Sequence, residues 1–165
     1  MSGFHLIIYD EDYRKINACL SRLHEEARGK AVFLIDKNGQ LIASCGETSK
    51  LDTTSLASLA AGNMAATGGL AQILGEREFS IIFHEGERDN LHISLVAHQV
   101  ILVVLFDRRS SLGLVRLRVK KASDELSQIF DALSKRGEEA QRRQALFQTP
   151  FSELTDDDIE NLFSR

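Results

Sequence analysis

Cysteine is scarce: Cys19 and Cys45 are the only two. One falls in a helical pattern and the other at a strand end, in no CxxC and no metal-ligand spacing, so both are expected to stay reduced and to hold no metal. Histidine offers no ligand set either. His5, His24, His84, His92 and His98 are scattered, without an HxxxH or HExxH pair, and read as solvated or structural, although His84 and His92 could share a region of sheet. A phosphate-binding loop is missing, because Gly62, Gly68 and Gly69 lie inside a helical run and no GK[ST] follows; no nucleotide site of the chain's own is expected. No basic stripe is present: 20 Lys and Arg are interspersed with 24 Asp and Glu for a formal charge of −4, which argues against a nucleic-acid surface. Residues 1–10 carry an apolar patch, Leu6 to Tyr9, but no basic region or small-residue cleavage site, so no signal peptide is read and a cytoplasmic location is expected. No nucleophile, base and oxyanion donor fall together. No catalytic residue, metal or cofactor is therefore assigned, and the chain is not expected to be an enzyme.

What is present is enough apolar residue, 43% of 165, for one real core. Tyr13, Ile16, Leu20, Leu23 and Ala27 predict an amphipathic helix over residues 11–28 that Gly29 stops. Two strands follow, Ala31 to Asp36 and Leu41 to Gly46, joined by a turn in which Asn38-Gly39 supplies positive φ. A second helix runs to Leu74, with Asp52, Thr53 or Thr54 as cap and Gly75 at the left-handed end. Phe79 to His84, Leu91 to Leu95 and the wholly apolar Val100 to Phe106 predict three further antiparallel strands. Leu112, Val115, Val119, Ala122, Leu126, Ile129 and Leu133 predict a third helix ending near Arg136.

The order of helix, two strands, helix, three strands and helix implies an α+β sandwich around a five-stranded antiparallel sheet. The expected organisation is a domain over residues 1–136, a polar linker or frayed helix over 137–150 containing the lone Pro150, and a C-terminal amphipathic segment over 151–165. Thr155 fits a helix cap there, and Leu154 with Ile159 a hydrophobic staple. Phe151, Leu154, Ile159, Leu162 and Phe163 form an apolar ridge beside acidic residues such as Asp158. That pattern suits a tail that folds onto a groove, of its own chain or of a partner.

The second helix is unusual. At 100° per residue Leu56, Leu59, Ala60, Met64, Leu70 and Leu74 fall on one side, expected to meet the sheet, and Ser58, Ala61, Ala65, Gly68, Gly69 and Gln72 on the other. No charged residue occurs from Leu56 to Leu74, where an exposed helix face would ordinarily carry Lys and Glu. Three interior glycines cost roughly 1 kcal/mol each relative to alanine, which is intelligible if another body approaches the backbone. A docking face and a homodimer interface both fit, on different stretches of the helix. The run is too weakly apolar, with Asn63, Thr67 and Gln72, to read as a membrane span. Arg108 and Arg109, at the end of the last strand, are the positions from which an arginine could act on a phosphoryl group in trans; ordinary surface arginines are the alternative.

With these elements in view, the chain resembles the Roadblock / dynein light chain family, and within it a group of bacterial gliding-motility regulators. The resemblance rests on residues 32–42, 52–59, 112–118 and 156–163. It implies a Roadblock-type α/β/α sandwich with a short tail helix, and a homodimer in which strand three pairs with its copy, placing Phe79, Ile81 and Phe83 at the dimer interface. It further implies an activator of a small Ras-like GTPase of the MglA type that controls bacterial cell polarity and motility, with one GTPase per dimer. The GTPase-facing residues would be Ser58, Ala61, Ala65, Gly68, Gly69 and Gln72, and the tail residues Phe151, Leu154, Asp158, Ile159, Leu162 and Phe163 would contact the partner away from its nucleotide. Activation in this group works by reorganising the GTPase switch regions without an arginine finger. A passive adaptor that binds a GTPase or motor is the other reading. A place at a cell pole and further polarity proteins as partners would follow from the same resemblance.

Overall fold

The computed structural model describes residues 7–148 and 156–164. Helix α1, Asp10–Glu26, buries Ile16, Cys19, Leu20 and Leu23 and opens with Asp10, Glu11 and Asp12, whose charges suit the positive end of the helix dipole. It ends two residues earlier than its apolar spacing predicts. The residue that turns left-handed is Arg28, at φ 53°, whereas Gly29 serves a close approach: a Cβ there would sit 3.4 Å from Val104 Cγ1 and 3.5 Å from the Leu105 carbonyl.

Strands β1, Ala31–Asp36, and β2, Leu41–Gly46, form the expected hairpin with an irregularity between Leu34 and Ile35. In the turn Gly39 takes φ 88°, but Asn38 is not left-handed. The Asp36 carboxylate does the organising instead, accepting from the Asn38 and Gln40 amides at 2.9 Å each. Helix α2, Thr53–Leu74, leads to β3, Ile81–Glu85, β4, Asn90–Val96, and β5, Val100–Phe106. The sheet has the order β2-β1-β5-β4-β3 with antiparallel neighbours. Strand β5, apolar at every position, is central and buried throughout, as a strand covered on both faces must be.

One face of the sheet, through Phe33, Ile35, Ile93, Ile101, Val103 and Leu105, packs against α2. The other is covered by α1 and by the first part of α3 (α3 spans Leu112–Gln148), through residues 112–130 of the same compact unit. The two covering helices are tied by Arg22 to Glu125 at 2.6 and 2.8 Å, Arg118 to Glu26 at 3.5 Å, and the Cys19 thiol against the Ala122 carbonyl at 3.8 Å. Along α3 the buried stripe is Val115, Val119, Ala122, Leu126, Phe130 and Leu133; Phe130, not Ile129, is the fully buried position.

Of the two readings of the polar segment, linker or frayed helix, the helical one describes residues 137–148. Residues 137–148 continue α3 in helical conformation, because Glu, Ala, Gln, Arg and Leu are all strong helix formers and Glu138 and Glu139 stand four residues before Arg142 and Arg143. Gly137 alone opposes them. Helix α4 spans Asp156–Phe163; its expected cap Thr155 and the preceding Pro150 lie outside the described residues. The chain forms two compact units, residues 9–130 and residues 1–8 with 131–165. Among the described residues no helix is long and apolar enough to cross a membrane.

Candidate functional site: the outward face of α2

Helix α2 begins where Asp52 accepts the Ser55 amide at 3.1 Å and the Ser55 hydroxyl at 2.6 Å. Those two hydrogen bonds, the hydroxyl first, hold the Asp52 carboxyl below the usual aspartate range. The helix closes at Gly75, at φ 73°, with Glu76 N–H reaching the Ala71 carbonyl at 2.9 Å.

The side of α2 that meets the sheet is made mostly of small residues: Ala57, Ala60, Ala61 and Ala71 are buried, with Met64 the one long side chain among them. This corrects two expectations. Leu59, Leu70 and Leu74, read as core, are 73%, 57% and 67% exposed, and Ile73 is 82% exposed. Ala61, read as part of the partner-facing surface, is 7% exposed and belongs to the core. Hydropathy ranks leucine above alanine, but the sheet already fills this layer with Phe33, Ile35, Ile93 and Ile101. A helix resting on such side chains must come close, and only small residues allow that. The recurrence of alanine at 57, 60, 61 and 71 was the sequence signal for it.

Ser58, Ala65, Gly68, Gly69 and Gln72 are exposed, as their pattern predicts. They are joined by Leu59, Gly62, Ala66, Leu70 and Ile73. At 100° steps all but Gly68, which lies on the buried side by angle, divide into two flanks. Ser58, Gly62, Ala65, Gly69 and Gln72 lie toward the β1–β2 turn, where a Cβ on Gly39 would approach Ser58 Cα to 3.1 Å. Leu59, Ala66, Leu70 and Ile73 lie toward β3, where the Asn63 side chain meets His84 Nε2 at 3.0 Å. A Cβ placed on Gly62, Gly68 or Gly69 would meet nothing within 4 Å. Among the described residues nothing requires glycine at those positions.

Strand β3 is a sheet edge. Ile81 and Phe83 lie on it, Ile81 half exposed, and Phe83 stacked on Phe106 with ring centroids 6.1 Å apart. Phe79 precedes the strand, so of the three residues assigned to the edge it is not in the ladder. Glu47, Asp107 and Arg109 form a group at the sheet's end: the Arg109 guanidinium contacts Asp107 at 3.0 Å and Glu47 at 3.1 Å. Those hydrogen bonds hold the Asp107 carboxyl below its ordinary range. His84 and His92 belong to β3 and β4 but to opposite faces of the sheet, since His92 pairs with Phe83 in the ladder. His84 is exposed and His92 is 1% exposed, so His92 is a core residue rather than a solvated one. Burial pushes the Cys19 thiol up to about 12 and raises that of Cys45 as well, so neither is poised as a nucleophile. Among the described residues no group of three metal-ligating side chains is found.

In the tail, Phe151 and Leu154 lie outside the described residues. Ile159 falls on α4 and is 36% exposed; Asp158, Leu162 and Phe163 also fall on α4, with their side chains outside what is described.

A family model for the Roadblock/LC7 domain matches residues 15–106, from α1 through β5, and the chain belongs to the Roadblock/LC7 family. Among solved structures it is similar to MglB of Myxococcus xanthus, with 60% sequence identity over 78% of this chain and 96% of that one and a TM-score of 0.74. It is also similar to the gliding protein MglB of Thermus thermophilus, at 34% identity over 76% and 95% of the two chains and a TM-score of 0.71. A structure described as MglB with a tetrameric arrangement shares 32% identity over 78% and 97%, with a TM-score of 0.73. Comparison with curated proteins gave no match.

Proposed function

We propose that this chain is a regulator of a small Ras-like GTPase of the MglA type, serving bacterial polarity and gliding motility, and that it acts as a cytoplasmic homodimer without an active site of its own. The observation that carries this reading is the outward face of α2: uncharged, apolar along one flank, and interrupted by glycines whose surroundings within the chain are open. A helix that gives up roughly 1 kcal/mol at each such glycine gains close backbone approach for a second body. The similarity to MglB structures supplies the kind of system in which that body is sought.

The two flanks suit two partners. The apolar flank, Leu59, Ala66, Leu70 and Ile73, is continuous with the β3 edge and suits a second copy, with β3 pairing across a two-fold axis. The flank of Ser58, Ala65, Gly69 and Gln72 would then join its symmetry mate in one platform for one GTPase. Hydrolysis would rise because the GTPase switch regions are held in their competent arrangement, positioning its own catalytic groups. Arg109 is disfavoured as an arginine finger, since it is already bound by Asp107 and Glu47. The second reading is an adaptor that docks a GTPase or motor without changing its rate, which uses the same α2 face. In either case the tail, through Phe151, Leu154, Asp158, Ile159, Leu162 and Phe163, would supply a second contact away from the nucleotide.

The test is single-turnover GTP hydrolysis by the cognate GTPase with and without this protein, comparing wild type with Ala65→Arg plus Gly69→Arg. Activation that the double variant lowers by more than about tenfold while it stays dimeric supports regulation through α2, because two arginines both block approach and bury unpaired charge. Tight binding with unchanged hydrolysis would establish the adaptor instead.

A further inference from the structure

The inward stripe of α2 gives the helix little to lock against. Ala57, Ala60, Ala61 and Ala71 are short and nearly flat, and Met64, the longest of the buried residues, is flexible. Among the described residues one side-chain hydrogen bond joins α2 to the sheet, from Asn63 Nδ2 to His84 Nε2 at 3.0 Å. With the amide as donor, the imidazole accepts at Nε2 and carries its proton on Nδ1. The bond has two properties that matter together. Its sheet end is on β3, the edge strand, and it lies on the apolar flank of α2, four residues from Leu59 and seven from Leu70.

In the isolated chain the bond is exposed, and water competes for both of its ends. A body that covered the β3 edge and the adjoining flank would exclude that water and strengthen the bond through the lower local dielectric. We propose that the Asn63–His84 hydrogen bond couples the two interfaces: pairing of the β3 edge with a second copy tightens it, fixes the rotation and height of α2 on the sheet, and so preorganises the opposite flank for its GTPase. By linkage, docking on that flank tightens the dimer by the same factor. Asn63 and His84 are positioning residues in this scheme; neither touches the nucleotide. The inference rests on the reading of β3 as the self-pairing edge and of α2 as the docking helix.

The experiment compares wild type, Asn63→Ala, His84→Ala, the double variant and His84→Gln, which keeps an acceptor near the Nε2 position. Two readouts are taken on the full chain: affinity for the GTPase loaded with a non-hydrolysable GTP analogue, and hydrogen exchange of the α2 and β3 amides. Each alanine is expected to weaken docking about threefold to tenfold, the scale of one hydrogen bond. The double variant should be no worse than either single one, and His84→Gln should recover most of the loss. Exchange should rise in α2 when His84 is changed and in β3 when Asn63 is changed. Additive losses, failure of His84→Gln to rescue, or exchange that changes only in the mutated element would overturn the coupling. If wild type binds no GTPase at all, the docking reading has failed, and cross-element exchange still decides whether the pin exists.

Discussion

His92 is 1% exposed on β4, and among the described residues neither its Nδ1 nor its Nε2 finds a hydrogen-bond partner. Phe83 and Val104 flank it in the ladder, and Arg116 on α3 is the charge that acts on it. Burial, and then the Arg116 charge, pull its pKa below the ordinary histidine value of 6.5. The sign follows directly. Above 6.5 the ring is neutral in folded and unfolded chains alike and contributes no pH dependence. As pH falls through 6.5 the unfolded chain takes up the proton and the folded chain does not, so stability is lost. The loss grows by at most about 1.4 kcal/mol per pH unit and stops where the folded ring itself titrates. His92→Leu removes both the acid limb and two unpaired buried nitrogens. It should therefore be more stable than wild type by about 1–3 kcal/mol at pH 8, with the gap widening below pH 6.5. Urea denaturation at fixed protein concentration, followed by far-ultraviolet ellipticity because the chain has no tryptophan, measures this at pH 8, 7, 6 and 5. Parallel pH profiles for the two proteins, or a His92→Leu chain less stable at pH 8, would refute the reasoning. The shifted carboxylates do not confuse the window: Asp52 and Asp107 are depressed below 3.8, so their contribution is present above that value and lost only as pH falls below it.

Three other outcomes are expected. Gly68→Ala should raise thermal stability by about 0.5–1 kcal/mol in the free protein, since its Cβ meets open space and alanine is the better helix former; the same change should leave or weaken GTPase docking, and a loss of stability in the free protein would show that the chain itself needs the glycine. Asp52→Ala should cost about 1 kcal/mol in denaturant titration by removing the cap on Ser55, with Asp52→Asn recovering most of it. Arg109→Ala should leave GTPase activation within about twofold of wild type, because its guanidinium is committed to Asp107 and Glu47; a collapse of activation would restore the arginine-finger mechanism.

The sheet and its element order were legible because their signals are local and strong. The unbroken apolar run from Val100 to Phe106 could only be a doubly covered strand, and Gly75 ends α2 as its position predicts. The rotation of α2 was not legible. Hydropathy sees one helix at a time, and the choice between leucines and alanines for the inward side depends on Phe33, Ile35, Ile93 and Ile101, which come from three strands distant in sequence. For the same reason His92 could not be told from a solvated histidine: alternation in β4 gives its face, but only the packing of α1 and α3 over that face buries it. The length of α3 was left open between linker and frayed helix because composition alone separates charged linker from charged helix poorly, and the Glu-to-Arg spacing past Gly137 is the discriminating feature. The glycines of α2 remained informative throughout, because open space around them among the described residues is what a single sequence can suggest and only coordinates can test.

The strand order also dictates how the chain must assemble. Strands β1 and β2 can close as one hairpin and β3, β4 and β5 as a meander, each from neighbours in sequence. The pairing of β1 with β5, from Ala31 opposite Leu105 to Asp36 opposite Val100, spans everything between them, α2 included. That closure carries the loop entropy of the whole domain, so it should dominate the folding barrier. Until it forms, Val32, Phe33 and Leu34, all fully buried in the finished protein, remain on an open edge. A nascent chain that has not yet delivered Val100 to Phe106 carries its most aggregation-prone surface uncovered, and the last strand made is the one that hides it.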